Sequence, residues 1–276
     1  MKNTKQKRPG QEHLMKPVPH TVPDTKIKKL EGKVALITGG DSGIGKAVAL
    51  LFAQHGAKVA ISYLNEHTDA KNTKQLVEEE GSECLLLPGD IAKETQCKKI
   101  VNDTIRHFKK LDILVNNAAI HYSAGSLEEI TTKNLLHTFQ VNIFSYFFVT
   151  KAALPHLKKG SCIINTASVV AYRGSEALMD YSATKGAIVA FTRSLSLNLA
   201  TKGIRVNGVA PGPIWTPLIP SSFKDNSIKK HGADTPLKRT GQPDEVAPCY
   251  LFLADESNSY MNGQFLHPNG GEIINT

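Results

Sequence analysis

From Lys33 onward the chain alternates short β-branched runs with longer stretches of helical periodicity, and that alternation leaves few architectures open. Strands are expected at Lys33–Thr38, Ala57–Ser62, Glu83–Leu87, Leu111–Val115, Ser161–Asn165, Ile204–Val209 and Gln264–His267. Helices are expected at Gly43–His55, near Thr68–Glu80, at Lys93–Phe108, as one long helix over Thr132–Leu157, at Tyr181–Thr201 and near Asp244–Leu253. Runs such as Val34–Ile37 and Ile113–Val115 are apolar at consecutive positions, as strands covered on both faces must be. The pattern predicts an α/β fold: one doubly wound, parallel, seven-stranded sheet with helices on both faces.

Before that pattern begins, residues 1–31 form a basic arm. It holds Pro9, Pro17, Pro19 and Pro23 and many lysines, and reads as extended or disordered. The whole chain carries a net charge of +8, but most of the excess sits in this arm, leaving residues 32–276 close to neutral. The arm has no Phe, Tyr or Trp to stack on bases, so nucleic acid is not an expected partner. With 41% hydrophobic and 21% charged residues, the rest is ordinary for one domain with a real core. The greasiest run, Val141–Val149, is too short to span a bilayer, and the N-terminus lacks a signal-like apolar stretch. The expectation is therefore a cytoplasmic protein with no membrane partner. Cys84, Cys97, Cys162 and Cys249 form no CxxC pair, and the histidines form no HxH or HExxH, so no metal site is expected. Residues Pro211–Arg239 break the alternation with five prolines, and a loop of about 213–240 is expected to shape a substrate pocket. Trp215, Leu218, Ile219 and Phe223 would supply its apolar surface.

The first strand runs into Thr38-Gly39-Gly40-Asp41-Ser42-Gly43-Ile44-Gly45, where a helix begins. Glycines let the backbone turn tightly and approach a pyrophosphate, and the free N–H groups at a helix start favour negative charge. There is no GKS or GKT, which disfavours a triphosphatase loop. Farther on, Tyr181 and Lys185 lie four residues apart, one turn apart on one helical face. A nearby ammonium favours phenolate, so Lys185 is expected to lower the pKa of Tyr181 and fit it for proton transfer. Ser168, Asn116–Ala119 and Pro211–Gly212 each follow a strand, at the carboxyl edge where ligands bind in such sheets. Ser182–Lys185 also fits SxxK, but the SDN and KTG partners of that chemistry are missing. His121, His137 and His156 read as structural or surface residues.

Taken together, these motifs resemble the short-chain dehydrogenase/reductase family over roughly residues 31–276. Thr38–Gly45 is similar to its TGxxxGxG turn, Asn116–Ala119 to its NNAG element, and Ser168, Tyr181 and Lys185 to its Ser and YxxxK. Asn142 is similar to its central-helix Asn and Pro211–Gly212 to its PG. The arm with TGGDSGIG, ISYL, LLPGD and APGPIWTP resembles a bacterial subgroup described as glucose/ribitol dehydrogenase-like or general-stress oxidoreductases. The resemblance implies a Rossmann-type fold and hydride transfer between a nicotinamide and the carbonyl or alcohol of a small aldehyde, ketone, polyol or sugar. It implies Tyr181 as proton exchanger, Lys185 as the group that lowers its pKa and holds the nicotinamide ribose, Ser168 on the carbonyl oxygen, and Asn142 placing a proton-relay water. It implies a cofactor site of Thr38, Gly39, Asp41, Ser42, Gly43, Ile44, Gly45, Tyr63, Leu64, Asp90, Ile91, Asn117, Ala118, Ala119, Tyr181, Lys185, Pro211, Gly212, Ile214 and Thr216. It also implies a homotetramer. Two positions depart from the pattern: Ala119 replaces a Gly, and Asn269-Gly270-Gly271 stands where DGG is common. After the second strand no Arg awaits a 2′-phosphate, and Asp41 and Glu66 would repel one, so NAD is favoured over NADP. A non-catalytic NAD(P)-binding sensor of the same fold is the alternative; the intact Ser168, Tyr181 and Lys185 argue against it.

Overall fold

The computed structural model describes residues 28–223 and 230–274. The basic arm, apart from its last four residues, lies outside them, as does Lys224 of the loop.

Seven strands form one parallel sheet in the order β3-β2-β1-β4-β5-β6-β7. They are β1 (Val34–Thr38), β2 (Lys58–Tyr63), β3 (Cys84–Pro88), β4 (Ile113–Asn116), β5 (Cys162–Thr166), β6 (Arg205–Val209) and β7 (Phe265–Leu266). The helices are α1 (Gly43–Gln54), α2 (His67–Glu79), α3 (Glu94–Phe108), α4 (Thr132–Phe139), α5 (Ser145–Ala153), α6 (Val170–Arg173), α7 (Met179–Leu199), α8 (Leu218–Ser222) and α9 (Pro243–Ala254). Because side chains alternate across a strand, each strand feeds two cores. Ala35 and Ile37 of β1, Val115 of β4 and Ile164 of β5 pack with α1 and α9 on one face. Leu36, Leu114 and Ile163 pack with α3, α5 and the end of α7 on the other. The expected doubly wound sheet is therefore present, and its boundaries fall within a few residues of those read from the sequence.

One element differs in kind. The long helix expected over Thr132–Leu157 is α4 and α5 joined by a π-helical turn at Gln140–Phe144, followed by a 3₁₀ turn at Leu154–His156. Pro155 has no N–H with which to continue an α-helix. The π turn carries Asn142, and such insertions cluster at functional sites. Strand β7 is also shorter than expected, two residues instead of four.

Strands are added to one side of β1 up to β3 and to its other side from β4 onward, so the connections leaving β1 and β4 run to opposite faces and open a crevice at the carboxyl edge. The excursion after β6 is pinned at its base. Ile214 bridges Gly241, with Trp215 N–H donating to Gly241 O and Gly241 N–H to Pro213 O. Ile214, Leu218, Ile219, Phe223 and His231 of this excursion line the crevice.

Candidate active site

The turn after β1 is built by backbone packing against backbone. A Cβ on Gly45 would lie 2.0 Å from the carbonyl oxygen of Gly39, so no other residue fits there. Gly39 adopts a φ of 63°, open to glycine at no steric cost. Thr38 ties this turn to the end of β4. Its hydroxyl accepts the N–H groups of Asn117 (2.9 Å) and Ala118 (3.1 Å). Asn117 returns its side-chain amide to the carbonyls of Thr38 and Gly39. Helix α1 starts at Gly43 with no side-chain cap, so no side chain at its N-cap takes up the first N–H groups, which favour an anion.

These strand ends line one cavity of about 1190 Å³. Of the residues expected to hold the cofactor, the wall includes Gly39, Asp41, Ser42, Gly43, Ile44, Tyr63, Leu64, Asp90, Ile91, Asn117, Ala118, Ala119, Tyr181, Lys185, Pro211, Gly212, Ile214 and Thr216. Thr38 and Gly45 stand behind the wall, the first as a tie and the second as a close backbone contact. At the β2 end, Ser62 Oγ is buried without a partner among the described residues. Asp41, Glu66 and Asp69 gather there, and burial, assisted by the charges of Glu66 and Asp69, raises the Asp41 carboxyl above its ordinary range. The ammonium and guanidinium groups lining the cavity, Lys185, Arg173 and Lys230, belong to later elements. A glycine cradle, free helix N–H groups and an orphaned hydroxyl suit a dinucleotide, so the residues present fit the nicotinamide cofactor the motifs imply.

Ser168, just past β5, also lines the cavity, and its hydroxyl accepts the Val170 N–H at 3.4 Å. Tyr181 and Lys185 on α7 are both buried. Lys185 Nζ donates to the Thr166 carbonyl at 2.7 Å and lies 5.4 Å from the centre of the Tyr181 ring. Burial lowers the Lys185 ammonium to about 7. Burial pushes the Tyr181 phenol upward, and the Ser168 hydroxyl pulls it back. In the protein without ligand, desolvation is the largest effect on both groups, favouring their neutral forms.

Asn142 sits on the π turn between α4 and α5. It is fully buried and off the cavity wall. Its Oδ1 accepts the Ile120 N–H (2.9 Å), and its Nδ2 donates to Ile120 O (2.8 Å) and Thr184 Oγ1 (3.2 Å). Its side chain clamps the segment after β4. Trp215, expected in the pocket, is 45% exposed and does not line it, whereas Leu218, Ile219 and Phe223 do. Ala119 packs its methyl on the apolar cluster of Val169, Val170, Leu178 and Tyr181. Asn269 bonds to Glu272 O and accepts from Gly271 N–H, so the NGG turn closes on itself.

Three wall residues were not foreseen. His121 is buried, with its ring 5.1 Å from that of Tyr181 in edge-to-face contact. His231 and His137 also line the cavity. No periodicity marks them, because all three reach the site through folding of loops and helix ends. Among the described residues no group of three His, Cys, Asp or Glu is placed to hold a metal. No helix there is long and apolar enough to cross a membrane.

A family profile described as enoyl-(acyl carrier protein) reductase matches residues 39–272. An uncharacterized oxidoreductase, YhxC, of Bacillus subtilis is 59% identical, covering 97% of this chain and 94% of its own. The chloroplastic NADPH-dependent aldehyde reductase 1 of Arabidopsis thaliana is 52% identical over the full length of both. The glucose and ribitol dehydrogenase of Daucus carota is 51% identical, covering 97% and 94%. Among solved structures, a short-chain dehydrogenase of Burkholderia cenocepacia in complex with NADP superposes with a TM-score of 0.82 at 33% identity, covering 88% of this chain and 98% of that one. With this sheet order, this crevice and relatives matched end to end, the chain belongs to the short-chain dehydrogenase/reductase family of NAD(P)-dependent oxidoreductases.

Proposed function

We propose that this oxidoreductase interconverts the carbonyl and alcohol of a small aldehyde, ketone, polyol or sugar, with Tyr181 exchanging the proton at the substrate oxygen. The observation that carries this reading is the placement of Tyr181, Lys185 and Ser168 together on the wall of one cavity, beside the glycine turn. When bound, the nicotinamide cofactor supplies or accepts the hydride. The protein holds and moves the proton. Tyr181 Oη gives it to the oxygen of a carbonyl being reduced, or takes it from an alcohol being oxidised. Ser168 Oγ donates a hydrogen bond to the same oxygen as charge develops there. Lys185, fixed by the Thr166 carbonyl, titrates near neutrality and favours phenolate when it is charged. Asn142 holds the Ile120 backbone and so keeps the segment beside Tyr181 in place. The apolar residues Val169, Val170 and Leu178 keep water from Tyr181.

For the cofactor, the acidic end of the cavity supports NAD. Asp41, Glu66 and Asp69 converge where the adenosine ribose would lie, and a 2′-phosphate there would meet like charge. The relative named as NADPH-dependent favours the opposite choice.

The test titrates NADH and NADPH by thermal shift and follows absorbance with a panel of aldehydes, ketones and sugars, beside Tyr181→Phe. The expected result is tighter NADH binding and turnover that falls at least about a hundredfold in the variant while cofactor binding survives. Tighter NADPH binding would overturn the cofactor assignment. Cofactor binding with no turnover in the wild type would return the chain to the sensor reading.

A further inference from the structure

The Thr166 carbonyl lies where the sheet comes apart. Pairing of β4 with β5 ends one residue earlier, at Asn116 opposite Asn165. The Ala167 N–H of the same peptide donates to Val209 O on β6, and the carbonyl and N–H of a trans peptide point in opposite directions. Thr166 O therefore faces the β4 side, beyond the last rung of that ladder. Two side chains reach it there. Lys185 Nζ, from α7, donates at 2.7 Å, and Tyr146 Oη, from α5, donates at 3.1 Å. A carbonyl oxygen has two lone pairs, so both are taken. From the other face of the sheet, Tyr250 of α9 pairs its hydroxyl with Thr166 Oγ1 at 2.7 Å. Tyr146 and Tyr250 are both buried. Neither is a site residue expected from the sequence, and neither lines the cavity.

We infer that Tyr146 is a positioning residue for the proposed reaction: its hydroxyl competes with Lys185 for the Thr166 carbonyl and so sets how firmly the lysine is held in its charged form. The coupling of the two side chains stands on geometry, and its catalytic consequence rests on the oxidoreductase reading. The Tyr146 O–H turns its positive end to the oxygen on which the ammonium also rests, and so opposes a second positive charge there. The ring that carries it, with its centre 5.9 Å from Nζ, favours that charge, so hydroxyl and ring act in opposite directions. The other titratable groups around Nζ are Tyr181 on its own helix, 5.4 Å away at its ring centre, and His121 after β4, an imidazole that burial keeps neutral. Asp180, on the first turn of α7, has its carboxyl bonded to Thr138 Oγ1 and the Tyr181 N–H. Removing the Tyr146 hydroxyl alone leaves the ring contact and strengthens the Lys185 hydrogen bond. The ammonium then keeps its proton to higher pH, and favours phenolate at Tyr181 over a wider range.

The experiment uses Tyr146→Phe, which keeps the ring and leaves Thr166 O its Lys185 donor, so no buried acceptor is orphaned. Tyr250→Phe is the control, since it takes a buried hydroxyl from Thr166 without touching the carbonyl. Urea unfolding without cofactor is measured against pH for each protein, with and without Lys185→Met. In the wild type the stability that depends on Lys185 rises with pH from about 7. In Tyr146→Phe that rise should begin roughly half a unit to one unit higher, and in Tyr250→Phe it should begin where the wild type's does. The profile of kcat/KM against pH, taken with a carbonyl compound that the wild type reduces, should move its near-neutral limb in the same direction in Tyr146→Phe alone. An onset unmoved in Tyr146→Phe overturns the inference. So does an equal move in both tyrosine variants, which a general loosening of the core would give, and so does a moved onset with an unmoved kcat/KM limb. An unmoved onset beside Tyr181-dependent turnover removes the inference and leaves the proposed function standing. A moved onset in a protein that turns over nothing in the panel supports the coupling of Tyr146 to Lys185 and removes the proposed function.

Discussion

At the residue scale, the instructive group is Lys185. An ammonium with ordinary solvation titrates near 10.5, and this one is lowered to about 7 by burial. Between those values the unfolded chain binds a proton that the native protein does not, so stability rises with pH across that window. Below about pH 7 both states are protonated, and the full cost of burying the charge is present. Tyr181, Tyr146 and His121 surround the ammonium; burial raises both phenols above 10.0, so their opposing effect begins only above pH 10. The expected outcome is that, in urea unfolding without cofactor, the wild type gains stability relative to Lys185→Met as pH rises from about 7 to 10. A difference that stays flat over that range would disprove the shift. The sequence placed Lys185 beside Tyr181 through the i,i+4 spacing. It carried no sign of the burial that governs both groups, because burial depends on what packs over α7.

At the element scale, helix α9 shows how one side chain can finish a helix it does not belong to. Arg205, on β6, is nearly buried and sends its guanidinium to the last carbonyls of α9. Nη1 donates to Leu253 O at 2.7 Å, and Nη2 to Ala254 O and Asp255 O. The Leu253 and Ala254 carbonyls lack intrahelical partners and carry the negative end of the helix dipole, while Asp255 O, at the cap, also accepts the Asn258 N–H. Replacing Arg205 with Met should destabilise the protein by roughly 2–4 kcal/mol, seen as a lower urea midpoint, because buried acceptors lose a charged donor. The exposed pair Lys58–Glu83 provides the contrast, and Lys58→Ala should change stability by less than about 1 kcal/mol. Equal effects of the two substitutions would show that burial does not govern these contacts. The elements themselves were largely legible, since strand and helix periodicities are local. The break at Gln140–Phe144 was not, because a π turn leaves the apolar pattern almost unchanged while turning Asn142 inward.

At the scale of the whole molecule, large apolar side chains remain exposed on helices α4, α5 and α7 and on the π turn between α4 and α5. Phe147 is 49% exposed and stacks on Phe191 with ring centres 4.1 Å apart. Phe144 is 44%, Leu136 53% and Leu197 80% exposed. Large apolar side chains left exposed in this way mark an interaction surface, and closed symmetric assembly is the usual way to cover one. We expect light scattering to give the mass of four chains, and Phe147→Asp to give a smaller assembly. A monomeric wild type would sink that assignment.

The sequence by itself determined the alternation of strands and helices, the glycine turn at the first crossover and the order of Ser168, Tyr181 and Lys185 along the chain. Each of these is a matter of local spacing, and local spacing survives without knowledge of distant contacts. Only the tertiary structure decided which side chains face the cavity. It turned Asn142 away to hold Ile120, left Trp215 outside, and brought His121 and His231 to the wall. The physical reason is that a side chain's direction and solvation are set by the elements that pack over it, and those elements come from sites far apart in the chain.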